Sequence, residues 1–174
     1  MSKAPTATRN GAPRSAQGEP RETSVAGNRL SLLPDGPERL EALIGLIDGA
    51  KQSLRLLYYI YTPDAAGERV RDAILAAVNR GVEVALLLDG FGSASTPHDY
   101  FDPVFGGGGR YCRFHPSYGR RYLLRNHQKM ALADAETPDC KVMIGGFNIA
   151  DDYFMADGPK AWRDLALIVA GPAA

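Results

Sequence analysis

Two apolar runs, Ser53–Tyr61 (SLRLLYYIY) and Val82–Leu88, bracket a segment whose apolar residues return every three or four positions. A mainly apolar run of seven to nine residues ended by a turn signal reads as a buried strand, and the 3.6-residue period between them reads as a helix. Pro63-Asp64 closes the first run and Asp89-Gly90 the second. Val70, Ile74, Ala77 and Val78 share one face of a helix predicted from Gly67 to Asn79, with Gly81 placed to cap its end. Strand, helix, strand predicts parallel pairing through a right-handed crossover. Upstream, a short strand is expected at Arg29–Leu33. After the Asp35-Gly36-Pro37 turn, Leu40, Leu43, Ile44 and Ile47 mark a helix reaching Ala50. Downstream, short strands are expected at Arg110–Phe114, Lys129–Ala133, Lys141–Ile144 and Leu165–Ala170, the middle two joined as a hairpin by the Glu136–Asp139 turn. The fold class that follows is α/β, a mixed sheet flanked by helices, with no internal repeat.

The chain has 174 residues, of which 45% are hydrophobic. That suffices for one α/β domain with its own core and is too short for two large ones. Residues 1–26 nearly lack large apolar side chains, so they are expected to form a disordered tail ahead of one domain over 27–174. The tail's Lys3, Arg9, Arg14 and Arg21 could touch anionic lipid, or simply be solvated. The formal net charge is zero, so whole-chain charge points to no class of partner. The two cysteines, Cys112 and Cys140, make neither a C-x-x-C pair nor a disulfide framework. With three histidines scattered as they are, no metal-ligand spacing is present and no metal or cofactor is expected. No apolar stretch reaches the roughly 18 residues of a spanning helix. The N-terminus has no signal-peptide core. No transmembrane anchor is expected in this sequence, while work at a membrane surface stays open.

Chemistry concentrates between Asn126 and Phe154 (NHQKMALADAETPDCKVMIGGFNIADDYF). His127, Lys129 and Asp134 stand in the order H-x-K-x4-D, and Gly145-Gly146-Phe147-Asn148 follows. On a strand, His127 and Lys129 would point to the same face. The hairpin return would bring the glycines and Asn148 beside them. A neutral imidazole is a nucleophile near neutral pH. An ammonium holds phosphate oxygens and the charge that grows on them in a transition state. Asn148 adds a donor, and Gly145 and Gly146 allow close backbone approach. The set is addressed to an anionic phosphorus centre and requires no metal.

H-x-K-x4-D followed by G-G-x-N resembles the signature of the phospholipase D superfamily. GGFNIADDYF with Trp162-Arg163-Asp164 is similar to the first half of bacterial cardiolipin synthases. Leu54–Tyr61, the Arg80-Gly81-Val82 lead into Leu88-Asp89-Gly90-Phe91-Gly92-Ser93, and Arg125-Asn126 agree with it. The resemblance covers residue 27 to the end. It implies that His127 attacks phosphorus to give a phosphohistidine, or protonates the leaving alcohol. It implies that Lys129 and Asn148 hold phosphate oxygens, with Arg125, Gly145 and Gly146 lining the substrate site. Asp134 would be structural, and Asp164 is the candidate carboxylate that orients the imidazole. Such sites are completed by two motif halves, in one chain or in a homodimer. This sequence carries one half, and a truncated first half is the preferred reading.

Two features stay ambiguous. Asp89, at the end of a predicted strand, could face substrate or serve a turn. Arg110, Arg113, Arg120, Arg121, Arg125 and Lys129 form a run without an acidic residue, which would draw in an anionic substrate. Tyr118, Tyr122, Leu123 and Leu124 interleave with it and could sit at a bilayer interface or in an ordinary core and loop. His98 and His115 read as loop residues. The expected function is a cardiolipin synthase-type phosphatidyltransferase or phosphodiesterase acting on phosphatidylglycerol, cytoplasmic and peripheral to the inner membrane, with a second half or a second copy as partner. The alternatives are a homodimeric nuclease acting on nucleic acid phosphodiesters, and an inactive half.

Overall fold

The computed structural model describes residues 21–106, 109–114 and 126–174. Eight strands form one mixed sheet. In chain order they are β1 (Arg21–Val25), β2 (Asn28–Leu33), β3 (Ser53–Tyr58), β4 (Glu83–Asp89), β5 (Arg110–Phe114), β6 (Met130–Ala133), β7 (Lys141–Gly145) and β8 (Ala166–Ala170). Their order across the sheet is β1-β2-β8-β7-β6-β3-β4-β5. The β3–β4 and β4–β5 pairs are parallel and all others antiparallel. The helices are α1 (Gly36–Gly49), α2 (Ala65–Asn79), and two single turns, α3 (Asp102–Phe105) and α4 (Asp151–Phe154). The expected β-α-β unit is therefore present as β3-α2-β4, and the expected hairpin as β6–β7.

Alternation along the strands decides which face is covered. Leu54, Leu56 and Tyr58 of β3, Val84, Leu86 and Leu88 of β4, Ala131 and Ala133 of β6, and Met143 of β7 are all buried. They form one core with Leu43 and Ile47 of α1 and Val70, Ile74 and Ala77 of α2. The intervening residues point the other way. Paired in register across β3, β6, β7, β8 and β2, they make a row: Leu57, Met130, Ile144, Leu167 and Leu32. Beside it runs a second row of Leu132, Val142, Val169 and Leu30. Ile144 is 41% and Leu32 38% exposed. Among the described residues no helix covers this second face.

Several boundaries move for identifiable reasons. Residues 21–25, which composition places in the tail, form β1, because β2 offers a full backbone ladder to pair with. A two-residue turn joins them, with Ala26 and Gly27 both at positive φ, the geometry that matches hairpin twist. Residues 1–20 lie outside the described residues. The second helix begins at Ala65 rather than Gly67, since the Asp64 side chain accepts from Gly67 N at 3.0 Å and caps it. The β3 strand stops at Tyr58. Beyond it, Tyr61 makes a single parallel bridge to Ile149.

Two buried charged side chains join distant parts of the chain. Asp134 sits at the β6–β7 turn with φ +54° and is 3% exposed. Its carboxylate accepts from the amides of Lys51 (3.0 Å), Gln52 (2.7 Å) and Ser53 (3.1 Å), where α1 leads into β3. Arg39 of α1 is 1% exposed. It donates to the carbonyls of Pro34 (2.8 Å), Tyr153 (2.6 Å) and Asp164 (2.5 Å). Burial pulls its guanidinium below the ordinary arginine value, opposed by Asp164 and Asp35.

Burial alone would raise the Asp134 carboxyl, but the amides of Gln52, Ser53 and Lys51 and the Lys51 charge outweigh it and hold it below the usual 3.8. A depressed carboxylate contributes stability that is present above its ordinary pKa and lost as pH falls through the folded one. Asp134→Ala, which leaves three amides unpaired, is expected to destabilise the fold by about 3 kcal/mol in urea unfolding at pH 7. The gap between variant and wild type should narrow on acidification below about pH 4. A gap that stays constant with pH would contradict this account.

Candidate active site

His127, Lys129, Gly145 and Gly146 meet at one end of the sheet, where β3 and β4 finish and β6 begins, while Asp134 lies at the other. Lys129 immediately precedes β6, and Met130 pairs with Ile144, so Gly145 lies beside it. His127 and Lys129 are in extended backbone ahead of the strand, not on it as expected. The ladder starts only at Met130, yet the two ends still meet. Lys129 Nζ lies 3.4 Å from His127 Nδ1 and donates to the His127 carbonyl at 2.6 Å. His127 is exposed, while Lys129 is 8% exposed. Burial lowers the Lys129 ammonium below the usual lysine value, and Asp164 acts in the opposite direction. An ammonium only donates, so the contact sets a donor opposite Nδ1.

Both side chains open on a cleft of ≈ 570 Å³. Its other walls are Leu57, Met130, Ile144, Leu165 and Leu167, with Gln128, Gly145 and Ala166. A nitrogen pair therefore stands at the end of the bare apolar face.

The two glycines serve approach of the chain to itself. A Cβ on Gly146 would fall 2.6 Å from Asp164 Oδ1, and one on Gly145 would fall 2.5 Å from the Leu165 carbonyl. Asp164 is thus laid against Gly146. Its Oδ1 accepts from Leu165 N at 2.7 Å, and its charge is felt at Lys129. Among the described residues it makes no hydrogen bond to His127.

Asn148 is 2% exposed and does not line the cleft. Its Oδ1 accepts from Ile60 N at 3.0 Å and its Nδ2 donates to Tyr153 Oη at 2.8 Å. The amide braces the end of β3 against the Gly-Gly-Phe-Asn turn, and one amide hydrogen is left over. Tyr153 in turn stacks on Trp162, centroids 5.7 Å apart and planes at 14°.

Asp89 resolves as a turn residue, in place of a substrate contact. It is 1% exposed. Oδ1 accepts from Phe91 N and Gly92 N, both at 2.9 Å, and Oδ2 from Asn126 N at 3.0 Å. Both oxygens are occupied by backbone amides. The carboxylate ties the loop after β4 to the residue just before His127.

The basic run is also altered by its surroundings. Arg110 pairs with Glu83 at 2.5 Å. Arg113 donates to Tyr111 Oη at 2.5 Å and to the carbonyls of Thr96 (2.6 Å) and Pro97 (2.8 Å). Both are drawn into local bonds because β5 lies at the sheet edge, away from β6. Arg120, Arg121 and Arg125, with His115, Tyr118, Tyr122, Leu123 and Leu124, lie outside the described residues. His98 is exposed in a loop.

Sequence reasoning passed over Tyr59. Its ring lies against His127, centroids 4.1 Å apart and planes at 39°, with Lys129 Nζ 5.5 Å from the same ring. The signal was present in the alternation: Leu54, Leu56 and Tyr58 turn inward, so Leu57 and Tyr59 turn toward the bare face. Arg39 and Tyr153 were passed over too, and nothing local in the sequence marks their partners.

Comparison with known proteins gives the chain a family. The major cardiolipin synthase ClsA of Bacillus subtilis is 34% identical over 152 residues, which is 84% of this chain and 30% of that protein. Cardiolipin synthase A of Pseudomonas aeruginosa is 33% identical over 158 residues, 88% of this chain and 31% of that protein. The chain thus spans under a third of the length of these relatives. Among solved structures, Nuc of Salmonella typhimurium, a phospholipase D family member, superposes with a TM-score of 0.56 at 22% identity, covering 83% of this chain and 82% of Nuc. No helix among the described residues is long and apolar enough to cross a membrane. The model of the cardiolipin synthase PLD-like domain matches residues 43–173, and this chain belongs to that family, within the phospholipase D superfamily.

Proposed function

We propose that this chain is one catalytic half of a phosphatidyltransferase of the cardiolipin synthase type, acting on phosphatidylglycerol at a membrane surface. The observation that carries it is the His127–Lys129 pair, 3.4 Å apart, at the mouth of an apolar cleft. A polar phosphodiester with acyl chains matches both parts, the cations taking the phosphate and the aliphatic walls taking lipid. A nucleic acid would leave the aliphatic walls without a partner.

The reaction needs one nitrogen to attack and one proton to leave. Lys129 moves from Nδ1 to a phosphoryl oxygen when substrate enters and stabilises its charge. Asn148 acts from behind the cleft, bracing the Gly-Gly-Phe-Asn turn through Ile60 N and Tyr153 Oη. One histidine attacks phosphorus, the P–O bond to glycerol breaks, and the other histidine gives its proton to the departing oxygen. A hydroxyl of a second phosphatidylglycerol then loses its proton to that other histidine, attacks phosphorus and breaks the P–N bond, returning both histidines. The histidine that donates does so as an imidazolium, which becomes neutral imidazole when its proton passes to the departing oxygen and is restored when the second hydroxyl gives up its own. The attacking form carries the proton on Nδ1, and Asp164 is the acceptor proposed for it.

A histidine pair requires a second half. The bare face with Leu57, Met130, Ile144 and Leu167 ends at the site, so an occupant of that face delivers its own histidine to the same cleft. For the isolated chain that occupant is a second copy, and in a longer polypeptide it is a second motif half.

With phosphatidylglycerol vesicles and with plasmid DNA offered separately, the purified chain is expected to form glycerol and diphosphatidylglycerol and leave the DNA intact. His127→Ala should reduce the lipid product at least about a thousandfold. DNA cleavage that disappears in His127→Ala, with no lipid product, would replace this reading with a nuclease. Liposome binding without turnover, unchanged in His127→Ala, would replace it with an inactive half.

Lys129 should set an alkaline limit. Activity requires the ammonium, so the rate is expected to fall as pH rises through a value below the usual 10.5. Lys129→Arg should abolish that limb, because a guanidinium stays charged there. For the bare face, the chain's mass by light scattering is expected to be that of a dimer. Ile144→Glu, which puts a charge at its centre, should leave a folded monomer.

A further inference from the structure

We propose that Tyr59 is a positioning residue for His127: its aromatic face sets the plane of the imidazole and steadies the His127–Lys129 pair beside it. The inference rests on the reading that His127 carries the chemistry. It begins from an imbalance in the site. Among the described residues, His127 has no carboxylate bonded to either nitrogen. Its one side-chain hydrogen-bonding neighbour is Lys129, a donor that must leave for the phosphate. An exposed imidazole held only by that contact would turn freely once substrate arrived. The ring 4.1 Å away is the group that remains.

One contact bears on the ring itself, and two more hold the backbone around it. Gly92 passes directly behind it, and a Cβ there would fall 2.8 Å from the ring and 2.3 Å from the Tyr59 carbonyl. Ser93, wholly buried, donates from Oγ to the Tyr59 carbonyl at 3.0 Å and accepts from Tyr61 N at 3.1 Å. Asp89 completes the frame. The same carboxylate that holds Phe91 N and Gly92 N also holds Asn126 N, next to His127. Ring and imidazole are therefore mounted on one support and cannot drift apart independently.

The chemistry favours a ring in this place. An aromatic face attracts an imidazolium or ammonium through its quadrupole, without accepting a proton. It orients the imidazole without occupying either nitrogen, so the nitrogen that faces substrate stays free to attack or to give a proton and take it back. A phenyl ring would do the same, so the hydroxyl is dispensable and the face is not.

The test uses the whole chain with isotope-labelled histidine, as wild type, Tyr59→Phe and Tyr59→Leu, with thermal unfolding confirming that all three are folded. Stacking predicts ring-current-shifted His127 carbon-bound protons in wild type and Tyr59→Phe, and loss of that shift in Tyr59→Leu. Turnover of phosphatidylglycerol should show kcat down about tenfold in Tyr59→Leu, KM within about twofold, and Tyr59→Phe close to wild type. Identical His127 shifts in wild type and Tyr59→Leu would overturn the stacking. A lost shift with unchanged kcat would overturn the positioning role. If Tyr59→Leu does not fold, Tyr59→Phe decides: a lost shift or a tenfold fall in kcat there overturns the proposal. A wild type that shows the shift but turns over no lipid would count against the activity itself, and so against a positioning role for Tyr59 in it, leaving the stacking intact.

Discussion

A single buried guanidinium holds the walls of the site to the scaffold. Arg39 projects from α1 and takes the carbonyls of Pro34, Tyr153 and Asp164, segments up to 125 residues away in sequence. Two of those segments reach the site. Tyr153 bonds Asn148, and Asp164 lies on Gly146 beside Lys129. A buried charge is costly unless its hydrogens are paired, so the position tolerates little movement of the three carbonyls. Burial and the two acidic neighbours act on Arg39 in opposite directions, which is why a charged group persists at 1% exposure.

The motif divides into a chemical end and a structural end, separated by β6. His127 and Lys129 stand before the strand and Asp134 after it. Four residues of strand rise roughly 13 Å. The carboxylate of the motif therefore acts at the opposite side of the sheet, where it fastens β6 to the start of β3. β3 then carries the constraint back across the sheet to Tyr59. Asp89 repeats this logic one strand over: a buried carboxylate at a strand end, satisfied by three backbone amides, holding a loop in place. Two aspartates that look catalytic in a list of residues are fasteners, because carboxylate oxygens filled by backbone donors have little left for substrate.

One face of the sheet is covered and the other is not. Helices α1 and α2 supply the core on the first. On the second, aliphatic side chains of five strands align into rows that water reaches. An apolar surface of this kind, beside the His127–Lys129 pair, is what the proposed second half would cover.

The α/β class, the β3-α2-β4 unit and the β6–β7 hairpin were legible in the sequence because they rest on periodicity and turn chemistry, which are local. The family was legible because residue types and spacings in H-x-K-x4-D and G-G-x-N are also local. β1 was not, since Arg21–Val25 has no core of its own and becomes a strand only by pairing with β2. Asp89 could not be decided without knowing which amides surround it, and Asn148 looked like a free donor until Ile60 and Tyr153 claimed it. The contacts of Tyr59 with His127 and of Arg39 with Tyr153 and Asp164 join residues 68, 114 and 125 positions apart. Local composition and periodicity carry chemistry and short-range conformation. Which distant groups satisfy a buried charge, or steady an exposed imidazole, is settled only when packing brings those segments within a few ångströms of each other.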